Sequence, residues 1–170
     1  AVSAREFILS LVKKINSKKL VHQEISSPRS VQIIVSDACN MQCSYCYGEY
    51  YDARNHNKLM SVSTALKAVD FAASIDAQHI GFFGGEPLLN FPVIRDLVDY
   101  GRSLEEPFHK HFKFTTTTNA VALNEEMMDF VNQEMDNAVI SIDGRPEVHD
   151  RMRPTPNGKG SYQLIIDKAK

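Results

Sequence analysis

Three cysteines lie within eight residues and form the strongest chemical signal in the sequence. Cys39, Cys43 and Cys46 are separated by three and then two residues. An odd number of closely spaced cysteines is a poor basis for disulfides and a good basis for a metal site. Thiolates are the usual ligands of iron–sulfur clusters, and three of them leave one iron of a 4Fe–4S cluster open to another ligand. Zinc is the alternative, but structural zinc uses four ligands, and His56 would have to complete such a set.

Three further segments carry residues that can bind a small ligand. Glycines in Gly84-Gly85-Glu86-Pro87 allow backbone to approach a ligand closely, and backbone carbonyls can accept hydrogen bonds from an ammonium group. Ser141 and Asp143 offer a hydroxyl and a carboxylate for hydrogen bonds to hydroxyl groups. Arg153 carries a planar guanidinium that suits a carboxylate. Each segment taken alone is equally typical of an ordinary turn or a surface residue.

The elements that must position these residues alternate between strands and helices. We predict strands over 31–36, 79–83, 112–118 and 138–142, and helices over 61–76, from Asn90, from Asn124 and over 161–169. This alternation is typical of an α/β fold with a parallel sheet or barrel. The carboxyl ends of such strands meet at one edge, where the chemistry of these folds takes place. Each candidate segment follows a strand, so we expect all of them at that edge.

The composition suits one globular domain preceded by a short helical segment. The chain has 170 residues, 43% of them hydrophobic, and a net charge of −2, which gives no signal for nucleic acid. No apolar run approaches the ~18 residues of a membrane span, and the N-terminus lacks the apolar run of a signal peptide. Residues 3–19 predict an amphipathic helix with a basic face, either solvated or a docking surface for an acidic partner. We therefore divide the chain into 1–30, helix and linker, and 31–170, the core, and expect a cytoplasmic location.

The cysteine loop resembles that of the radical S-adenosylmethionine (SAM) superfamily, and the Gly84–Pro87 turn matches the second motif of that family. The resemblance implies part of a (β/α)6 TIM-like barrel, with about four strand–helix units present. It implies a 4Fe–4S cluster on the three cysteines, whose open iron binds the amino and carboxylate groups of SAM. In this family, reduction of the cluster cleaves SAM to a 5′-deoxyadenosyl radical, which abstracts hydrogen from a substrate.

The same resemblance assigns roles to individual residues. It places Tyr45 near the adenine of SAM and gives cofactor-binding roles to a further set: Gly84, Gly85, Glu86, Pro87, Asn119, Ser141, Asp143 and Arg153. Ala120 stands where the family usually has a glycine, which questions a special backbone geometry at that turn but not the cofactor site. We interpret His149 and Asp150 as a structural pair. Met127, Met128 and Met135 are expected to fill the core.

Two longer segments resemble the peptide-modifying branch of the superfamily. Residues 141–162 and 81–91 are similar to sulfatase maturases, and more so to the maturases that form thioethers in cysteine-rich ribosomal peptides. This resemblance implies a precursor peptide or protein substrate and an electron donor such as flavodoxin or ferredoxin. It also implies auxiliary 4Fe–4S clusters in a cysteine-rich C-terminal region.

The sequence departs from that branch in what it lacks. No cysteine follows Cys46, and a fourth strand would leave an unpaired edge. We therefore expect the 170 residues to be part of a larger protein and to bind its cofactors less well alone. Two alternatives stay open: another radical SAM reaction, on a protein, a small molecule or RNA, and a non-catalytic metal-binding module.

Overall fold

Four parallel strands form a single sheet. The computed structural model describes residues 30–47, 58–75 and 77–169, so the helix predicted over 3–19 and His56 lie outside the described residues. The strands follow the chain in the order β1-β2-β3-β4 and are β1 Ser30–Ser36, β2 His79–Gly84, β3 Lys113–Thr118 and β4 Asn137–Ile140. All three pairings are parallel, which confirms the predicted α/β class.

Helices connect the strands and cover one face of the sheet. They are α1 Val62–Ser74, α2 Phe91–Phe108, α3 Glu125–Glu134, α4 Pro146–Met152 and α5 Tyr162–Ile166, with a short 3-10 helix at Pro87–Asn90. Two of them begin with side-chain caps. The Ser61 hydroxyl accepts from the backbone N–H of Thr64, and the Asn124 side chain accepts from that of Met127. Such caps satisfy backbone donors that have no partner within the helix.

The core lies between the sheet and the first two helices. Side chains alternate between the two faces of a strand, so Ile33, Ile80, Phe82 and Phe114 all point to the helical side and are buried. The rings of Phe82 and Phe114 stack with centroids 6.0 Å apart. The three methionines predicted to fill the core, Met127, Met128 and Met135, pack against this cluster, as expected. On the opposite face, Ile34 is 56% exposed.

Two predictions about local structure were wrong. No helix was predicted between 142 and 161, and the segment from His149 to Pro154 was expected to be loop, but Pro146–Met152 form α4, with Pro146 in the first helical turn, where its missing N–H costs nothing. Asn90 was expected to cap α2 but makes no cap hydrogen bond. Its amide instead donates to the carbonyls of Val35, at 2.7 Å, and Met60, at 3.0 Å. Asn90 therefore ties the end of β1 to the chain that enters α1.

The turn after β3 keeps a left-handed backbone although it lacks glycine. Ala120 has φ +60° and is fully buried. Such a conformation costs an L-residue about 1–2 kcal/mol. Lys168 offsets part of that cost because its ammonium donates to the carbonyls of Ala120, at 3.3 Å, and Val121, at 2.7 Å.

No helix among the described residues combines the length and the apolar character that a membrane crossing requires.

Candidate cofactor site

The cysteine loop leaves the carboxyl end of β1 and is fastened to the chain that follows α4. The backbone N–H of Ser44 donates to the carbonyl of Met152 at 2.9 Å, and that of Gln42 donates to Pro154 at 2.8 Å. These bonds join segments more than a hundred positions apart in the sequence. They place Arg153 against the cysteine loop, as we predicted for segments that follow the carboxyl ends of parallel strands.

All three cysteines are free thiols, and their charges interact. Burial is the main cause that raises the pKa of Cys39, and the charges of Glu86, Cys43 and Cys46 raise it further. Burial also raises the pKa of Cys43, against which the Arg153 guanidinium acts in the opposite direction. Each thiolate disfavours ionisation of its neighbours, so the free thiols repel one another once charged. Bound metal would remove this penalty, because a coordinating thiol is deprotonated outright.

The described residues include three thiols, the usual ligands of an iron–sulfur cluster. Among them, no three His, Cys, Asp or Glu side chains form a group that could hold one metal ion. The ligands of one ion must all lie about 2.3 Å from the same point, whereas thiolates of a cluster bind different irons and stand farther apart. Three thiols within eight residues supply the ligand type that the second arrangement requires.

The two glycines of the Gly84–Pro87 turn allow the backbone of the preceding segment to approach closely. Gly84 has φ +143°, and a Cβ there would lie 2.0 Å from the carbonyl oxygen of Ser36. A Cβ on Gly85 would lie 2.6 Å from the carbonyl oxygen of Ala38. Backbone N–H groups of Gly85 and Glu86 donate to those same two carbonyls, each at 2.8 Å. The turn therefore clamps the first residues of the cysteine loop, which explains why both positions need glycine.

The buried carboxylate of Glu86 links the turn after β2 to the end of β3 by hydrogen bonds. It is 1% exposed and accepts three hydrogen bonds: from the Leu88 N–H at 3.0 Å, the Thr118 hydroxyl at 2.6 Å and the Asn119 N–H at 2.8 Å. Burial raises its pKa, although these three donors favour the charged form. Glu86 was predicted to bind the cofactor. In the structure its side chain holds the end of β3 in place, and its cofactor-binding role stays a prediction.

Three predicted residues meet at the opening of the site. The Tyr45 hydroxyl donates to Asp143 Oδ2 at 2.6 Å and accepts from Arg153 Nη1 at 2.6 Å. Arg153 Nη1 lies 3.9 Å from Asp143 Oδ1, so the tyrosine oxygen bridges a loose ion pair. Burial, followed by the hydrogen bond to Asp143, raises the pKa of Tyr45, so its phenol stays protonated at neutral pH.

Arg153 also carries a buried side-chain donor without a partner, the one such donor in the described part of the chain. Its side chain is 11% exposed, and its Nε is buried without a hydrogen-bond partner among the described residues. An unpaired buried donor costs about 1–3 kcal/mol, so it marks a place where a ligand acceptor would be stabilised. The guanidinium fork suits a carboxylate. This orphaned donor beside the cysteine loop fits a carboxylate-bearing cofactor.

A buried polar chain holds Arg153 in this position. His149 is fully buried; its Nδ1 accepts from the Asp143 N–H at 3.2 Å, and its Nε2 lies 2.9 Å from the Ser161 hydroxyl. That hydroxyl donates to the Arg153 carbonyl at 2.6 Å. Burial lowers the pKa of His149, in agreement with a neutral ring that accepts at Nδ1. The predicted structural role of His149 agrees with these contacts.

Asp150 is structural in the same way. Its Oδ1 accepts from the N–H groups of Ser161 and Tyr162, each at 2.8 Å, at the start of α5. A Cβ on Gly160 would lie 2.4 Å from this carboxyl group, so glycine is needed for the contact.

Some of the predicted site residues lie against the cysteine loop, and others do not. Asn119 and Arg153 lie against the cysteine loop, whereas Pro87 is buried in the 3-10 helix. Ser141 follows β4 and donates its N–H to Thr118, and its hydroxyl makes no hydrogen bond within the described ranges. Sequence reasoning did not single out Asn40 and Ser161 as parts of the site. No local pattern marks them, since both acquire their roles from partners distant in sequence.

The fold is a parallel α/β sheet, and its carboxyl edge carries a loop with three thiols beside an arginine that suits a carboxylate. This combination is typical of the cluster-binding proteins of the radical SAM superfamily. The comparison with known families agrees. Residues 29–166 match the family described as "4Fe-4S single cluster domain". The chain belongs to this family and to the radical SAM superfamily.

Named relatives have diverse activities. The chain is 40% identical over 129 residues to an uncharacterized protein of Methanocaldococcus jannaschii, covering 75% of this chain and 42% of that protein. It is 28% identical over 153 residues to a cysteine-type anaerobic sulfatase-maturating enzyme of Clostridium novyi, covering 84% of this chain and 40% of the enzyme. A radical SAM cyclopropyl synthase of Paramaledivibacter caminithermalis is 23% identical over 153 residues, with 81% and 31% covered. The chain thus spans less than half the length of these relatives.

A solved structure has the same fold. The native enzyme anSMEcpe with bound AdoMet superimposes with a TM-score of 0.73 at 24% identity, covering 84% of this chain and 40% of that one. This similarity shows that the four strand–helix units have the same fold as the corresponding part of that enzyme.

Proposed function

We propose that this chain is the cluster- and SAM-binding half of a radical SAM enzyme that modifies a cysteine-containing peptide by forming a thioether. The observation that carries the radical SAM part is the contact between the cysteine loop and the segment around Arg153, whose buried Nε has no hydrogen-bond acceptor among the residues that the structure describes. When bound, the cluster and SAM supply a carbon radical that abstracts a hydrogen atom.

Different residues of the chain bind the cluster and SAM. Cys39, Cys43 and Cys46 hold the cluster. Arg153 binds the SAM carboxylate, because its orphaned donor and its charge both favour an anionic acceptor there. Ser141, whose hydroxyl is unengaged within the described ranges, offers a further hydrogen bond to the cofactor. Tyr45 and Asp143 orient the guanidinium and line the entrance on the adenine side.

The peptide part of the proposal rests on family resemblance. Residues 81–91 and 141–162 resemble the peptide-modifying branch, and two relatives are a sulfatase-maturating enzyme and a cyclopropyl synthase. The substrate is then a precursor peptide or protein, with electrons from a flavodoxin or ferredoxin. Auxiliary 4Fe–4S clusters would lie C-terminal to these residues. The three free thiols suit a reducing cytoplasm.

Co-expression tests both parts. Full-length enzyme is produced with a cysteine-rich peptide encoded beside its gene, and the peptide is analysed by mass spectrometry. Thioether formation removes two hydrogen atoms for each cross-link and leaves the cysteine resistant to alkylation. An unchanged mass, from enzyme that releases 5′-deoxyadenosine with SAM and dithionite, would exclude the thioether reaction. Zinc in place of iron, with no 5′-deoxyadenosine, would support the non-catalytic alternative.

Sulfatase maturation is the second candidate, favoured by the 28% identity over 153 residues to the Clostridium novyi enzyme. A cysteine-containing peptide from a sulfatase serves as its test substrate. A change of mass at that cysteine other than the loss of two hydrogens would favour this function over thioether formation.

A further inference from the structure

We propose that Asn119 is a positioning residue for the cluster: its side-chain amide donates to the Cys39 sulfur and makes the cluster easier to reduce. This inference rests on the proposed function only in that the three cysteines hold a cluster. The sequence predicts a cofactor-binding role for Asn119, and the structure shows its side chain at the cysteine loop.

The amide of Asn119 has a fixed direction. Its Nδ2 lies 2.8 Å from Asn40 Oδ1 and 3.9 Å from Cys39 Sγ, and the residue is only 5% exposed. Its Oδ1 accepts from the backbone N–H of Val121 at 2.9 Å. A backbone N–H can only donate, so this bond requires oxygen on that side of the amide and NH2 on the side of Cys39.

The buried carboxylate of Glu86 fixes the backbone of Asn119 and of the residue before it. Glu86 Oε2 accepts from the backbone N–H of Asn119 at 2.8 Å, and Oε1 accepts from the hydroxyl of the preceding Thr118 at 2.6 Å. The Thr118 oxygen in turn accepts from the N–H of Ala120 at 2.9 Å. Both ends of the residue are therefore held, and its side chain has little freedom to turn away.

Cys39 differs from the other two cysteines in this environment. The Asn119 Nδ2 is a side-chain donor 3.9 Å from the Cys39 sulfur. In the part of the chain that the structure describes, neither Cys43 nor Cys46 receives a side-chain hydrogen bond. Within the described residues, Cys39 is therefore the one cysteine with a side-chain donor at its sulfur.

A donor at a ligand sulfur stabilises the reduced cluster more than the oxidised one. Reduction adds negative charge that is shared with the sulfurs, which strengthens the hydrogen bond. Hydrogen bonds to the sulfurs are among the factors that set cluster potentials. Removal of the Asn119 amide should therefore shift the potential to a more negative value.

The test compares two replacements in full-length, anaerobically reconstituted enzyme. Asn119→Ser keeps a short neutral oxygen for Val121 but cannot reach Cys39, and Asn119→Asp keeps the shape but has no N–H. Asn124→Ser is the matched control, since it alters an asparagine that caps α3. The potential is measured by redox titration monitored by electron paramagnetic resonance, without substrate. We expect both Asn119 variants to show a ratio of reduced to oxidised cluster roughly 3- to 10-fold lower at a fixed potential.

Several results would overturn the inference. Unchanged potentials in both Asn119 variants would do so, as would a shift in Asn119→Asp alone, because that shift would come from the added charge. Loss of the cluster from both variants would also contradict it, since the three thiolates remain. Peptide chemistry does not enter the measurement: an enzyme that fails to form thioethers yet shows the shift would refute the proposed substrate and leave this inference standing.

Discussion

The Tyr45 hydroxyl lies 2.6 Å from the Asp143 carboxylate, although the two residues are 98 positions apart. The same oxygen accepts from Arg153 at 2.6 Å, so one phenol connects the cysteine loop to the end of β4 and to the chain after α4. The position of Arg153 is thereby coupled to that of Tyr45, which lies within the cysteine loop.

Removal of the Tyr45 hydroxyl should weaken SAM binding without abolishing it. In Tyr45→Phe, Asp143 and Arg153 lose their bridge and are left 3.9 Å apart to pair directly. We expect SAM to bind roughly 3- to 10-fold more weakly, as the loss of one net hydrogen bond of about 1 kcal/mol implies. Equilibrium binding to cluster-loaded enzyme measures this. Tyr47→Phe, at a residue that is 71% exposed, is the control and should bind SAM normally. Equal affinities in both variants would contradict the bridging role.

Arg153→Lys should separate cofactor binding from cluster binding. Lysine keeps the positive charge but lacks the fork and the Nε donor, so the carboxylate loses a paired contact. Hydrogen bonds to charged groups are worth about 1.5–3 kcal/mol, which corresponds to roughly 10- to 100-fold weaker SAM binding. Iron and sulfide content should stay unchanged, because the three thiolates are untouched. Arg151→Lys, at an exposed position two residues away, is the matched control. Full SAM affinity in Arg153→Lys would refute the assignment.

Glu86→Gln should destabilise the protein in a pH-dependent way. Glutamine offers one acceptor oxygen in place of two and turns an NH2 group toward a buried backbone donor, a cost of about 1–3 kcal/mol. The folded pKa of Glu86 is raised by burial. Its contribution to stability is therefore fully present below the unfolded pKa of about 4.3 and is lost as pH rises through the folded pKa.

The variant lacks this titration, so its deficit relative to the natural protein should be larger at pH 5.5 than at pH 8. Urea midpoints of the full-length apoprotein at both values measure the difference. Glu147→Gln, in the exposed first turn of α4, should change stability by less than about 0.5 kcal/mol. A deficit that does not vary with pH would mean that Glu86 does not titrate differently in the folded protein.

Local signals in the sequence predicted the elements and the cysteine loop well. The β-branched run of β1 and the threonines of β3 alternate between faces, and the spacing of the three cysteines is itself local. The same local signals could have shown α4, because Pro146 followed by Glu147 is typical of a first helical turn. Only its short length, seven residues, concealed it.

The roles inside the site depend on distant partners and could not be predicted in this way. Glu86 is buried because Thr118 and Asn119, more than thirty positions later, supply its donors. The left-handed turn at Ala120 persists without glycine because Lys168 and Thr118 hold it. The sequence shows which residue types are available, but the register of the sheet decides which of them meet.

Asn90 and Asn124 provide a direct comparison between a residue that resembles a cap and one that is a cap. Both stand immediately before a helix, and helix N-caps accept hydrogen bonds, which aspartate does as well as asparagine. Asn124→Asp should therefore change stability by less than about 0.5 kcal/mol, with a small gain from the helix dipole. Asn90 instead donates to two carbonyls and is only 5% exposed.

Asn90→Asp would turn carboxylate oxygens toward the carbonyls of Val35 and Met60, leaving a buried charge without a partner. We expect a loss of at least about 3 kcal/mol, because uncompensated buried charges cost several kcal/mol. Protonation of the new carboxyl group restores one donor, so the loss should shrink as the pH falls. Urea midpoints of the two variants at pH 8 and pH 5.5 give the comparison. Equal stability of both variants at pH 8 would mean that Asn90 caps α2 after all and that the link between β1 and the start of α1 contributes nothing.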